Sequence, residues 1–216
     1  PVNYVLPPGV DRVVDPTSTQ QLLLNEQSLV LKVTDLEEGN AKAAYKTLSM
    51  DFRKYKRLKM DVHAEAVPGY PLKNHELSLF VRIGSDYYNN YYEYEVPLCI
   101  TAPGNYSSSK ESDRYLVWPD TNRIDIPLKV LTDLKLERNN VLRQANSGVS
   151  LSKEYAIING TRLIKVKGNP NLGNVEVMML GIRYNDKDAN NYGPRSAEVW
   201  LNELSLTGLD EDGGWA

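Results

Sequence analysis

Leu58-Lys59-Met60-Asp61-Val62-His63-Ala64-Glu65-Ala66 decides the fold class. Apolar residues at 58, 60, 62, 64 and 66 alternate with Lys59, Asp61, His63 and Glu65, the period-two pattern of a strand with one wet face. Leu77, Leu79, Val81 and Ile83 then alternate with Glu76, Ser78, Phe80 and Arg82. Val67-Pro68-Gly69-Tyr70-Pro71 supplies turn chemistry between the two runs, so the pair reads as an antiparallel hairpin.

Working outward, Leu29, Leu31 and Val33 precede the Glu37-Glu38-Gly39-Asn40 turn, and Leu48, Met50 and Phe52 alternate with Thr47, Ser49 and Asp51. Strands are also expected at Ile124 to Ile126, Ala156 to Ile158, Arg162 to Val166, Val175 to Tyr184 and Ala197 to Leu206, bounded by Gly, Pro or Asn. Val177-Met178-Met179-Leu180 is apolar on both faces, as in a central strand covered on two sides. One helix is predicted: Leu128, Leu131 and Leu134 recur at helical spacing after Pro127, and Asn139-Asn140 would stop it. Ala102 to Asp113 reads as a loop.

Many short strands and one short helix indicate a mostly β fold, a two-sheet antiparallel β-sandwich of jelly-roll, galactose-binding-like type. The expected organisation is an extended N-terminal segment (1–20), a single sandwich domain (21–212) and a flexible exit (213–216), the chain beginning and ending within a larger protein. At 216 residues such a fold buries roughly 70% of its unfolded surface and needs no staple. Hydrophobic residues at 41% and charged residues at 25% are ordinary globular values, and a net charge of −3 argues against a nucleic-acid partner. A transmembrane barrel would carry apolar residues where Lys59, Asp61, Glu65, Arg82 and Glu93 stand, so the piece is expected to be soluble.

Chemistry is sparse. Cys99, the only cysteine, lies between Leu98 and Ile100 and reads as a small buried hydrophobe. His63 falls on the wet face of its strand and His75 in a turn, neither with a paired ligand, so no metal, cofactor or catalytic triad is expected. Glu93 and Glu95 share one strand face, where they are either solvated or the acid pair of a sandwich hydrolase. Five tyrosines occur within eight residues: alternation assigns Tyr88, Tyr92 and Tyr94 to a core face and Tyr87 and Tyr91 to the outside with Glu93 and Glu95. Such a surface suits sugar rings, peptide strands or a partner protein, and Asn202 stands where sugar-binding jelly rolls often place a polar residue.

Two sets of strings go beyond fold. The first comprises Asn3-Tyr4-Val5-Leu6-Pro7-Pro8-Gly9, Leu24-Asn25-Glu26-Gln27-Ser28-Leu29 and Tyr55-Lys56-Arg57-Leu58-Lys59-Met60. The second comprises Gly168-Asn169-Pro170-Asn171-Leu172-Gly173, Gly181-Ile182-Arg183, Ala197-Glu198-Val199-Trp200-Leu201-Asn202-Glu203-Leu204 and Gly213-Gly214-Trp215. In this order they resemble the SprA (Sov) family, giant outer-membrane β-barrel translocons of the type IX secretion and gliding machinery. The resemblance implies a soluble, non-catalytic structural or interaction domain inserted among barrel strands, on the cell surface or the periplasmic side. It implies as partners the remainder of the same outer-membrane protein, other secretion components or exported cargo, with the isolated domain monomeric. Gly213, Gly214 and Trp215 would form the junction to the barrel, and both ends of the domain would lie near one edge of the sandwich. The alternative kept open is a glycan-binding jelly-roll module.

Overall fold

The computed structural model describes residues 1–10, 29–185 and 193–209, apart from the Glu203 side chain. The strands are β1 (Leu29–Leu36), β2 (Ala41–Met50), β3 (Tyr55–Ala66), β4 (Leu77–Gly84), β5 (Tyr91–Pro97), β6 (Ile124–Pro127), β7 (Tyr155–Asn159), β8 (Arg162–Lys167), β9 (Val175–Tyr184) and β10 (Arg195–Leu209). The α-helices among these residues are α1 (Glu111–Val117) and α2 (Leu128–Leu142). Every strand pairing is antiparallel, within a four-stranded sheet of order β1-β10-β3-β6 and a six-stranded sheet of order β2-β9-β4-β5-β8-β7. The fold is the mostly β, two-sheet sandwich that the alternation predicts.

The core lies between the sheets. Leu58, Met60, Val62 and Ala64 of β3 meet Leu79, Val81 and Ile83 of β4, with Tyr92, Tyr94 and Val96 of β5 beside them. Each fully buried aliphatic side chain contributes about 1.5–3 kcal/mol, which fixes the register, because a one-residue slip would exchange Met60 for Lys59. β9 is central in its sheet, between β2 and β4, as its two apolar faces predict. On its outer side Gly181 lies under Phe80: a Cβ at Gly181 would come within 2.3 Å of the Phe80 ring.

Three expectations are corrected. β3 and β4 do not form a hairpin; they belong to different sheets, and the Val67–Pro71 turn crosses between layers. Alternation states which face is buried, and two apolar faces can be satisfied by facing each other as well as by lying side by side. α1 was not expected. It is seven residues long and lies just beyond a loop rich in serine, and its buried apolar contribution is Val117 alone. α2 takes Pro127 as its N-cap rather than as its first residue, and it continues through Asn139-Asn140 to Leu142.

The outer face of the four-stranded sheet is also covered. Val2 and Val5 pack with Val117, Trp118 and Trp200 in a second apolar cluster. Trp118 Nε1 donates to Val5 O (2.8 Å), Val2 N to Glu65 Oε2 (2.6 Å) and Arg114 Nε to Leu6 O (3.0 Å). Residues 1–10 and α1 thus form a third layer. Val2 sits at the Glu65 end of β3, whereas Leu209 pairs with Tyr55 at the other end. These two points are about 33 Å apart along the strand at ~3.3 Å per residue; residues 210–216, on which the expectation of a shared edge depends, lie outside the described residues. Gly213, Gly214 and Trp215 lie outside the described residues.

Candidate functional site

On the outer face of the six-stranded sheet, Arg82, Glu93 and Lys165 are directly opposite one another on β4, β5 and β8. Arg183 reaches the same point from β9. Glu93 has no exposed surface. Its Oε2 accepts from Arg82 Nε (2.8 Å), and its Oε1 accepts from Lys165 Nζ and Arg183 Nη1 (2.8 Å each). Glu95 accepts from Arg183 Nη1 and from Asn185 Nδ2 (2.6 Å), and Glu154 lies 3.6 Å from Lys165 Nζ. Three cations face three carboxylates. Burial alone would raise the pKa of Glu93, but the Arg183 hydrogen bond and the charges of Arg183, Lys165 and Arg82 outweigh it and hold the group at about 2.

Tyr91 closes this cluster from above. It is 3% exposed, its ring lies 3.8 Å from the Arg82 guanidinium carbon, and its hydroxyl donates to Glu154 Oε1 (2.5 Å). Burial first, and then that hydrogen bond, push its pKa up. The expectation of Tyr91, Glu93 and Glu95 as a solvated face is therefore corrected: they point outward from the sheet, as alternation requires, but are buried by one another and by the loops above.

The exposed tyrosines are others. The Tyr87 ring packs at a tilt against Tyr45 of β2 (centroids 5.1 Å apart) and against Tyr88 (4.5 Å), and Tyr45 and Tyr88 are 59% and 67% exposed. Tyr88, assigned by alternation to the core with Tyr92 and Tyr94, is thus on the surface, because residues 85–90 form a turn in which strand parity does not hold. Asp86 pins that turn: Oδ1 accepts from the backbone N–H of Tyr88 (2.8 Å), Asn89 (2.5 Å) and Asn90 (3.2 Å), and Oδ2 from Asn90 Nδ2 (2.8 Å). Burial acts against these bonds, which prevail and hold the Asp86 pKa at about 2. Gly84 and Gly168 let the turn approach closely, since a Cβ at either would fall within 2.0 Å of a backbone oxygen of Asn89 or Asn90. The tyrosines stand on a preset support.

The remaining candidates are scattered. His63, expected at the surface, is fully buried beneath the third layer, with Nδ1 2.8 Å from Val117 O and its ring 4.0 Å from that of Trp200. Burial lowers its pKa to about 4, against the opposing hydrogen bond to Val117. His75 is exposed, with φ of 71°, and its Nε2 lies 3.4 Å from Sγ of Cys99, which is half-buried rather than a core hydrophobe. Asn202 is buried on β10 opposite Asp61. Among the described residues no three His, Cys, Asp or Glu side chains converge as metal ligands.

An apolar groove of about 520 Å³ opens between the sheets beside β2, lined by Leu29, Leu48, Met50, Phe52, Tyr55 and Leu206 among others. Sequence reasoning missed this groove and Tyr45, Arg82, Lys165 and Arg183 as site residues. Alternation placed Arg82 on the outer face, but strand order alone brings the four charged side chains together.

The family model SprA_N, described as motility related/secretion protein, matches residues 1–216. The chain belongs to this family. A comparison with curated proteins found no match. The SprA_N match covers the described sheets, the charged cluster and the N-terminal layer alike. No helix among the described residues is long and apolar enough to cross a membrane.

Proposed function

We propose that this chain is a soluble, non-catalytic structural and interaction domain of an outer-membrane translocon that serves type IX secretion and gliding. The observation that carries this reading is the internal use of the charged groups. Glu93 and Glu95, the acid pair that the sequence offers for hydrolysis, are bound by Arg82, Lys165 and Arg183, and Glu93 has no proton to give near neutral pH. What the described residues leave open is suited to contact: an apolar groove, a long strand edge and three tyrosines whose rings pack at a tilt. Family membership supplies the context of secretion.

The domain would lie on the cell-surface or periplasmic side of the outer membrane, contacting the rest of its own protein, other secretion components or exported cargo. Replacing it by a linker in the full-length protein should impair secretion more than it lowers the amount of barrel in the membrane. Normal secretion after that replacement rejects the proposal. The glycan-binding alternative is favoured by one observation, the preset tyrosine trio, and micromolar binding of a defined glycan that is lost in Tyr88→Ala would establish it.

A further inference from the structure

β2 is the longest of the four edge strands, with ten residues against eight, five and four for β1, β7 and β6. It pairs with β9 on one side, and no described strand pairs with the other. Nine of its residues are exposed and Leu48 is half-buried. A backbone ladder with one free side recognises an extended strand and no other secondary structure.

Charge decides which strand. Lys42, Ala44 and Lys46 lie opposite Ile182, Leu180 and Met178, which belong to the core, so the two lysines occupy the inward face of the edge. Lys42 Nζ donates to Thr34 O (3.1 Å), and Lys46 lines the apolar groove. Two-fold antiparallel pairing of β2 with a second copy would set four lysines on one face. Centred on Ala44, it would put each Lys42 directly opposite a Lys46, a destabilising arrangement made worse by the apolar surroundings. Inward lysines on an edge strand block indiscriminate pairing. The same lysines are neutralised by a strand that brings its own carboxylates.

We infer that the edge of β2 that no described strand pairs is a docking site for an extended strand of another polypeptide, one bearing two acidic residues four apart with an apolar residue midway, Glu-x-Val-x-Glu in pattern. In antiparallel register the acids face Lys46 and Lys42, the apolar residue faces Ala44, and the groove lined by Leu48 and Met50 takes the next inward side chain. Outward residues of the incoming strand lie beside Tyr45, whose ring already packs at a tilt against Tyr87.

The inference deepens the interaction role proposed above and rests on it. The probe is the peptide Val-Thr-Glu-Thr-Val-Thr-Glu-Thr-Val, titrated into the 216-residue chain with amide NMR as readout. Expected are shifts and slowed exchange concentrated on β2, affinity about tenfold above that of the same peptide with both Glu replaced by Lys, and weakening by salt. The double variant Lys42→Glu, Lys46→Glu changes exposed side chains only and should reverse the preference between the two peptides. Equal affinity for both peptides, no reversal, shifts centred elsewhere, or a β2-mediated dimer of the chain alone would each overturn the inference. Absent peptide binding together with lost secretion after domain replacement would reject this edge and leave the interaction role. Intact binding with normal secretion would do the opposite.

Discussion

Glu93 and His63 are both fully buried titratable groups, and they respond to acid in different windows. The folded pKa of Glu93, about 2, lies below its ordinary 4.5, so folding favours the ionised form. Its contribution is full above about pH 4.5 and is lost as pH falls through 2. The folded value of His63, about 4, lies below 6.5, so folding favours the neutral ring. That contribution, ~3 kcal/mol, is full above pH 6.5 and is lost as pH falls from 6.5 to 4. Urea melts of His63→Phe should therefore lose most of the slope between pH 6.5 and 4.5, whereas Glu93→Gln should flatten the slope below 4.5. Glu93→Gln should also cost ~3–5 kcal/mol at pH 7, because it strands buried cations. Arg138 predicts the opposite sign. It is fully buried on α2, its Nε donates to Asn139 Oδ1 (2.9 Å), and both Nη atoms lack hydrogen-bond partners. Arg138→Met should stabilise the chain by ~1–3 kcal/mol, read as a higher midpoint in the same melts.

Among the elements, the N-terminal segment and α1 depend on each other. Neither buries enough apolar surface alone: the segment contributes Val2 and Val5, and α1 contributes Val117. Trp118, at the C-cap of α1, joins them by filling the gap to Trp200 and binding Val5 O. Trp118→Ala should cost ~3–5 kcal/mol and loosen the layer before the sandwich. Limited proteolysis followed by mass measurement should then find cleavage within residues 1–10 at a rate well above that of the parent chain. An unchanged rate would mean that the backbone bonds of Val2 and Leu6 hold the segment without the indole. The layer also explains His63 and Glu65. Strand alternation in β3 is visible in the exposure of Lys59 and Asp61 but ends at Val62, where residues 1–6 and α1 begin to cover the outer face.

At the scale of the whole molecule, the described residues bury part of the outer face of each sheet and leave one side of the sandwich uncovered. The third layer covers β3 and β10 around His63 and Trp200, the ion cluster fills the middle of the six-stranded sheet's outer face, and no described residue covers the β2 edge. The inward lysines oppose self-pairing, so the isolated chain should sediment as a monomer at micromolar concentration. Lys42→Val, Lys46→Val should shift it toward dimers or aggregates, because the substitution removes that charge from a ten-residue edge. A monomeric double variant would show that the twist of the edge, not its charge, keeps copies apart.

Period-two patterning at Leu58–Ala66 and Leu77–Ile83 was enough to determine a mostly β chain and the inward set Leu58, Met60, Val62, Leu79 and Val81, because a strand has only two faces and water selects one. The strings shared with the SprA family were enough to determine the family. Tertiary structure decided the rest. Whether β3 and β4 pair or face each other depends on strand order, which alternation does not encode. Whether Glu93 is solvated depends on Arg82, Lys165 and Arg183, which arrive from three other strands up to 90 residues away. His63 is buried because Val117 and Trp118, more than 50 positions later, fold back over it. A residue's outward direction is local, set by the pleat, but its burial is set by whatever the chain lays on top.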